Sequence, residues 1–220
     1  MSAERVIEIA RGELGYSESP PGSNKTKYGQ AYGWDGVPWC VIFLWWCFRE
    51  AGESAAFYGG KKTASCWTLY RWYQEQGQTV YVNEVCPGDI AILNFHGTKE
   101  AQHCGLVVDV QHKKPASNEV DYIVTIEGNT TPGLEGSQDN GGSVALKRRY
   151  PNQIVGVCRP AYTPDPPPPD YHGHWAEDAM RWGIQRGLLM GYEDGTYQPD
   201  RTVTRGELMT VLKRLEDSKT

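Results

Sequence analysis

The sequence predicts an α+β fold followed by a small helical appendage, and three observations carry that prediction. Helix-period apolar patterns occupy residues 3–76, β-rich runs follow over 90–157, and a proline run at 163–170 sets off a last segment. In the first segment, Glu4 and Glu8 interrupt the apolar residues Val6, Ile7, Ile9 and Ala10, which gives an amphipathic helix over about 3–14. A second helix is expected over about 38–51. Proline is tolerated in a first turn, where backbone N–H groups lack partners, and the apolar run Val41 to Phe48 proceeds to a stop at Gly52. A third helix over about 63–76 carries Trp67, Tyr70, Trp72 and Tyr73, whose helical spacing assigns them to the core. Pro87-Gly88-Asp89 then punctuates the chain before strands at Ile90–Leu93, Gly105–Val110, Tyr122–Ile126, Ser143–Leu146 and Ile154–Val157. Helices first and antiparallel strands later place the helices on one side of a sheet.

The bulk numbers exclude several functions. A net charge of −5 is shared as −2 over 1–161 and −3 over 162–220, so neither part offers the basic surface of a nucleic-acid binder. No run approaches the roughly 18 apolar residues of a membrane span. The start mixes acids among apolar residues and does not read as an export signal, so synthesis in the cytoplasm is expected, with action on a target after release. Six cysteines at 40, 47, 66, 86, 104 and 158 contain no C-x-x-C pair, which predicts reduced thiols and no zinc site.

The chemistry-bearing residues follow from the helix start and the strand alternation. Cys40 falls in a first helical turn, where free N–H groups and the helix dipole favour a thiolate, the nucleophilic form of cysteine. On the segment 103–110, Cys104, Leu106, Val108 and Val110 form the apolar face, leaving His103 on the other. The same count on 122–127 places Thr125 and Glu127 opposite Tyr122, Val124 and Ile126. Imidazole and carboxylate are therefore expected on one cleft-facing surface, supplying a base and an acid to orient it, the logic of a thiol hydrolase. His96 is assigned to a loop.

Pro38-Trp39-Cys40-Val41-Ile42-Phe43, Pro87-Gly88-Asp89-Ile90-Ala91, His103-Cys104-Gly105-Leu106-Val107-Val108, Ile126-Glu127-Gly128-Asn129-Thr130 and Val155-Gly156-Val157-Cys158-Arg159-Pro160 follow one another in order. This series resembles the CHAP family of cysteine, histidine-dependent amidohydrolases and peptidases, found in phage endolysins and bacterial wall hydrolases. The resemblance covers 5–160 and implies a papain-like (NlpC/P60-CHAP type) catalytic domain over 1–161. It implies Cys40 as nucleophile, His103 as general base, Glu127 as the residue orienting the imidazole and Asn129 as a polar fourth member. The expected reaction is cleavage of peptidoglycan amides, with the N-acetylmuramoyl-L-alanine amide favoured and endopeptidase cleavage of stem peptide or cross-bridge as the alternative. Another peptide-like amide substrate, or a non-enzymatic wall-binding protein associated with a surface layer, are further alternatives. Some members bind calcium through an acidic loop upstream of the nucleophile. Here 22–37 holds Asp35 as its acidic residue, so no cofactor and no metal are expected.

The run 162–170 reads as a proline-rich linker with extended polyproline conformation, leaving a module over 171–220. Trp175, Ala179 and Trp182 mark a helix ending near Gly187, and Thr204-Arg205-Gly206-Glu207 is a capping box before the stripe Leu208, Val211, Leu212, Leu215. The pattern resembles one S-layer homology (SLH) repeat, with Trp175, Gly191, Arg205 and Glu207 on its signature. It implies binding to a secondary polymer of Gram-positive cell walls, for which the Arg205 guanidinium suits a carboxylated sugar. The other three are expected to be structural: Trp175 packs, Gly191 turns the chain and Glu207 caps. Such repeats typically come in threes. One copy predicts either a homotrimer that pools three repeats or a repeat packed on its own catalytic domain.

Overall fold

The computed structural model describes residues 2–98, 100–115, 117–135, 140–164 and 167–217. The chain forms two compact units, Met1–Asp165 and Pro166–Thr220. The first unit is α+β, as its sequence predicts. Among the described residues, helices α1 (Ser2–Gly12), α2 (Lys27–Tyr32), α3 (Cys40–Glu50) and α4 (Cys66–Glu75) precede six strands. These are β1 (Thr79–Val80), β2 (Ile90–Leu93), β3 (His103–His112), β4 (Val120–Thr130), β5 (Ser143–Arg149) and β6 (Ile154–Cys158). They build one antiparallel sheet in the order β1-β6-β2-β3-β4-β5.

Helix α3 is apolar around its whole circumference, and such a helix is stable only when covered on all sides. It packs on β3 and β4 and is flanked by α1 and α2. Val41, Ile42, Phe43, Leu44, Cys47 and Phe48 are all fully buried. Each large apolar side chain removed from water contributes roughly 1.5–3 kcal/mol, so this helix is the centre of the core. From the sheet, Ile90, Ile92, Cys104, Leu106 and Ile126 meet it. The opposite face carries a second apolar cluster of Ala91, Leu93, Val107, Ile123 and Val157. Both faces are therefore packed.

Two strands run further than their apolar patterns predict. β4 continues from Ile126 through Thr130, and β5 continues from Leu146 through Arg149. In β5 the alternation persists under a change of chemistry: Lys147 and Arg149 are fully buried although charged. Helix α2 and the two-residue β1 have too few residues to show a period and are absent from the sequence expectation. At the end of this unit Tyr162 stacks on Phe48 with ring centroids 5.6 Å apart and donates its hydroxyl to Gly88 O at 2.6 Å. Thr163 donates from its backbone N and its hydroxyl to Glu53 Oε2 at 3.0 and 3.1 Å.

The second unit contains α5 (Glu177–Gln185) and α6 (Arg205–Asp217). The capping box at the start of α6 forms as predicted: Glu207 N donates to Thr204 Oγ1 at 3.2 Å, and Thr204 N donates to Glu207 Oε2 at 2.7 Å. Its core is thin. Leu188 is the buried large apolar side chain among its described residues, while Val203, Leu208, Met209 and Leu212 stay exposed. Trp175 departs from its expected packing role, for it is 90% exposed.

Candidate active site

Cys40 is the first residue of α3, and its position is set from outside the helix. Trp39, fully buried, occupies the N-cap position without a side-chain cap bond, so the helix starts two residues later than Pro38 suggests. The Trp39 ring lies 5.5 Å from Tyr28 and 6.5 Å from Phe43, and its indole N–H donates to Glu18 Oε2 at 3.3 Å. Gly128 permits the strand beside it to close on this anchor. A Cβ there would fall 2.6 Å from Phe43 Cβ and 2.8 Å from Trp39 Cζ3. The sulfur thus sits against the unpaired N–H groups of a first helical turn.

His103 opens β3, and Glu127 lies on the adjacent strand β4. His103 Nε2 donates to Glu127 Oε2 at 3.0 Å. Gly105 makes this approach possible, because a Cβ there would stand 2.7 Å from Glu127 Cγ. The carboxylate is fixed from below: Arg149 donates through Nε to Oε1 at 2.7 Å and through Nη2 to Oε2 at 2.6 Å, and the Thr125 hydroxyl donates to Oε1 at 2.7 Å. Both Glu127 and Arg149 are fully buried, and His103 is 1% exposed.

The shared face of His103 and Glu127 is the predicted one, yet it is closed rather than cleft-facing. The physical reason is the extra length of β5, which delivers the Arg149 guanidinium beneath the carboxylate, with Phe95 4.6 Å from that guanidinium and 6.2 Å from the imidazole. Sequence reasoning missed Arg149. Its signal was present in the continued alternation of Ala145, Lys147 and Arg149, hidden because the residues become cationic.

Two further thiols surround the nucleophile candidate. Cys66, the first residue of α4, has its Sγ 3.6 Å from Cys40 Sγ, and Cys104 of β3 completes a group whose sulfurs all lie within 4.8 Å of one another. Hydrogen bonds from Cys104 and Cys66 hold the Cys40 thiol well below its ordinary pKa against the opposing effect of burial. The charge of His103 and a hydrogen bond from it act in the same direction. Burial alone would depress His103, but the negative charges of Glu127 and Cys40 raise it to about 9. For Glu127, burial is outweighed by the hydrogen bonds and charges of Arg149 and His103, which lower it to about 2. The arrangement favours a thiolate–imidazolium pair resting on an ionised carboxylate.

The other residues singled out by the sequence have the following surroundings. Asn129 sits at φ 56° where the β4–β5 register shifts, and its Nδ2 donates to Asn140 Oδ1 at 3.0 Å. Arg205 is exposed at the start of α6 in the second unit. Asp89 is structural: Arg159 grips it through Nε at 3.0 Å and Nη2 at 2.8 Å, tying β2 to the end of β6. Asp35 accepts from Thr26 N at 2.9 Å, and His96 lies in an exposed loop. Trp67, expected in the core, is 47% exposed. It borders a groove of about 480 Å³ with Tyr70, Asn94 and Thr98, while Trp34, Pro38, Lys62 and Ser65 border another of about 620 Å³.

Comparison with known proteins finds a match in each part. Residues 31–129 match the CHAP domain model, and residues 169–209 match the S-layer homology domain model. Cys40, His103, Glu127 and Asn129 fall inside the first match, Arg205 falls inside the second, and Arg149 lies beyond the first. The chain is 46% identical over 39 residues to Cell surface glycoprotein 1 of Acetivibrio thermocellus, covering 18% of this chain and 2% of that protein. It is 42% identical over 45 residues to Outer membrane protein SlpA of Deinococcus radiodurans, covering 20% and 4%. It is 45% identical over 38 residues to the Cellulosome-anchoring protein of Acetivibrio thermocellus, covering 17% and 8%. The chain thus spans less than a tenth of the length of these relatives. Residues 31–129 are similar to CHAP domains and residues 169–209 to S-layer homology domains.

Proposed function

We propose that this chain is a cysteine-dependent peptidoglycan hydrolase that cuts the N-acetylmuramoyl-L-alanine amide and is held on the wall by its C-terminal unit. The observation that carries the reading is the buried hydrogen-bonded series Arg149–Glu127–His103, together with a Cys40 thiol at a helix start whose pKa the neighbouring thiols and the charge of His103 lower. In the reaction the Cys40 thiolate attacks the amide carbonyl, and the Cys40 backbone N–H faces the developing oxyanion. His103 gives its proton to the departing amine, leaving a thioester. Water, deprotonated by His103, then releases the acid and regenerates the thiolate. Glu127 holds the imidazole in place throughout, with Asn129 as a polar neighbour on the same strand. The same chemistry serves a phage endolysin or a bacterial autolysin.

In the C-terminal unit, Arg205 contacts a carboxylated sugar of a secondary wall polymer, a role that suits an exposed guanidinium. Three chains pool their repeats there, and what supports this is the apolar surface left open at Trp175, Val203, Met209 and Leu212. The deciding experiment is mass spectrometry of fragments released from purified walls. A new alanine amino terminus is expected; termini within the stem peptide or cross-bridge would replace the amidase assignment with an endopeptidase. Cys40→Ala is expected to abolish lysis while keeping the native circular dichroism, and lysis at the normal rate would remove the nucleophile assignment.

A further inference from the structure

Three thiols meet in this molecule without a motif to announce them. Cys40, Cys66 and Cys104 come from the starts of α3 and α4 and from β3, with all sulfurs within 4.8 Å and Cys40 only 3.6 Å from Cys66. A tetrahedral ion with metal–sulfur bonds of about 2.3 Å holds its sulfurs about 3.8 Å apart, so shifts of about 1 Å or less complete such a site. Three sulfur donors favour a soft ion over magnesium or calcium. The group is buried without being sealed, since Cys40 and Cys66 each retain 6% exposure.

We propose that Cys40, Cys66 and Cys104 form a binding site for a thiophilic divalent cation such as Zn²⁺, and that its occupancy switches the hydrolase off. Each sulfur binds the ion as a thiolate, with any S–H proton passing to solvent, and water takes the fourth position. The inhibitory consequence rests on Cys40 being the nucleophile, for a sulfur pair shared with a cation does not attack a carbonyl. The cation site itself does not depend on that reading.

The test titrates the reduced full chain with Cd²⁺, whose bonds to thiolates absorb in the ultraviolet in proportion to their number. One ion per chain with the absorption of three thiolates is expected. Cys66→Ala and Cys104→Ala should each lower the affinity at least about 10-fold, and Cys86→Ser, at an exposed thiol outside the group, should leave it unchanged. Absorption from one or two thiolates, or affinity that survives both alanine variants, overturns the site. If a variant fails to fold, the thiolate count in the unaltered chain decides. Lysis assayed against free Zn²⁺ separates the two claims: three-thiolate binding without inhibition overturns the switch, and three-thiolate binding in a chain that lyses no wall supports the site while removing the proposed function.

Discussion

Arg149 closes on both oxygens of Glu127, at 2.7 and 2.6 Å, and neither residue is exposed to solvent. The pair lies one hydrogen bond from His103, so the guanidinium acts on the imidazole through the carboxylate. Removing one partner of a buried pair leaves the other charge unsolvated, at a cost of about 3–5 kcal/mol. Arg149→Ala is expected to lower stability by that order and to bring the alkaline limb of activity to lower pH, because a protonated or displaced Glu127 no longer raises His103. Arg149→Lys restores charge without the bidentate fork and should fall between the two. Thermal unfolding combined with a pH profile measures both effects; a stability loss with an unmoved profile would leave Arg149 only a structural part.

Activity should hold across neutral pH and fall on the alkaline side. With its pKa raised to about 9, His103 remains able to protonate a leaving amine until pH passes that value. The depressed Cys40 thiol keeps the thiolate available into acid. Lysis rates measured at constant ionic strength should therefore show their upper limb near 9. A limb near 6.5, the ordinary histidine value, would contradict the coupling.

Stability follows the same groups with opposite signs. The raised pKa of His103 contributes stability that is full below its ordinary value of 6.5 and is lost as pH rises through about 9. The lowered pKa of Glu127 contributes stability that is full above 4.5 and is lost as pH falls toward about 2. Thermal unfolding across pH should reveal both losses, and Glu127→Gln should weaken both.

Gly105→Ala tests the closeness of β3 and β4. Its new methyl group would press on Glu127 Cγ from 2.7 Å, and overpacking of this kind typically costs about 1–3 kcal/mol. The variant is expected to fold with a lowered midpoint and to lose rate more than substrate affinity. Steady-state kinetics on soluble wall fragments distinguishes the two.

The exposed apolar residues of the second unit predict self-association. Light scattering on the full chain should give a trimer, and Met209→Glu with Leu212→Glu should return it to a monomer. A monomer at all working concentrations would end the pooled-repeat reading.

Much of the fold was legible because period and punctuation agree. Pro38 and Gly52 bracket α3, alternation places His103 and Glu127 on one face, and Thr204 with Glu207 marks the start of α6. What escaped has two causes: burial of groups whose type argues for water, and convergence of elements distant in the sequence. Arg149 and Lys147 continue a strand under a cationic sequence, and Glu127 offsets the buried charge of Arg149. Cys66 and Cys104 read as isolated thiols, since no local spacing reports that three separate elements converge. Trp67 erred in the other direction, an aromatic at helical spacing that remains half exposed beside a groove.

The docking of Tyr162 and Thr163 decides where this protein can be divided. Cutting before Tyr162 would strip Phe48 of its stacked ring and strand the buried Glu53 carboxylate without its two donors. Separation of the first unit from the second, or grafting of the first unit onto another module, should therefore be made beyond Thr163, inside the prolines.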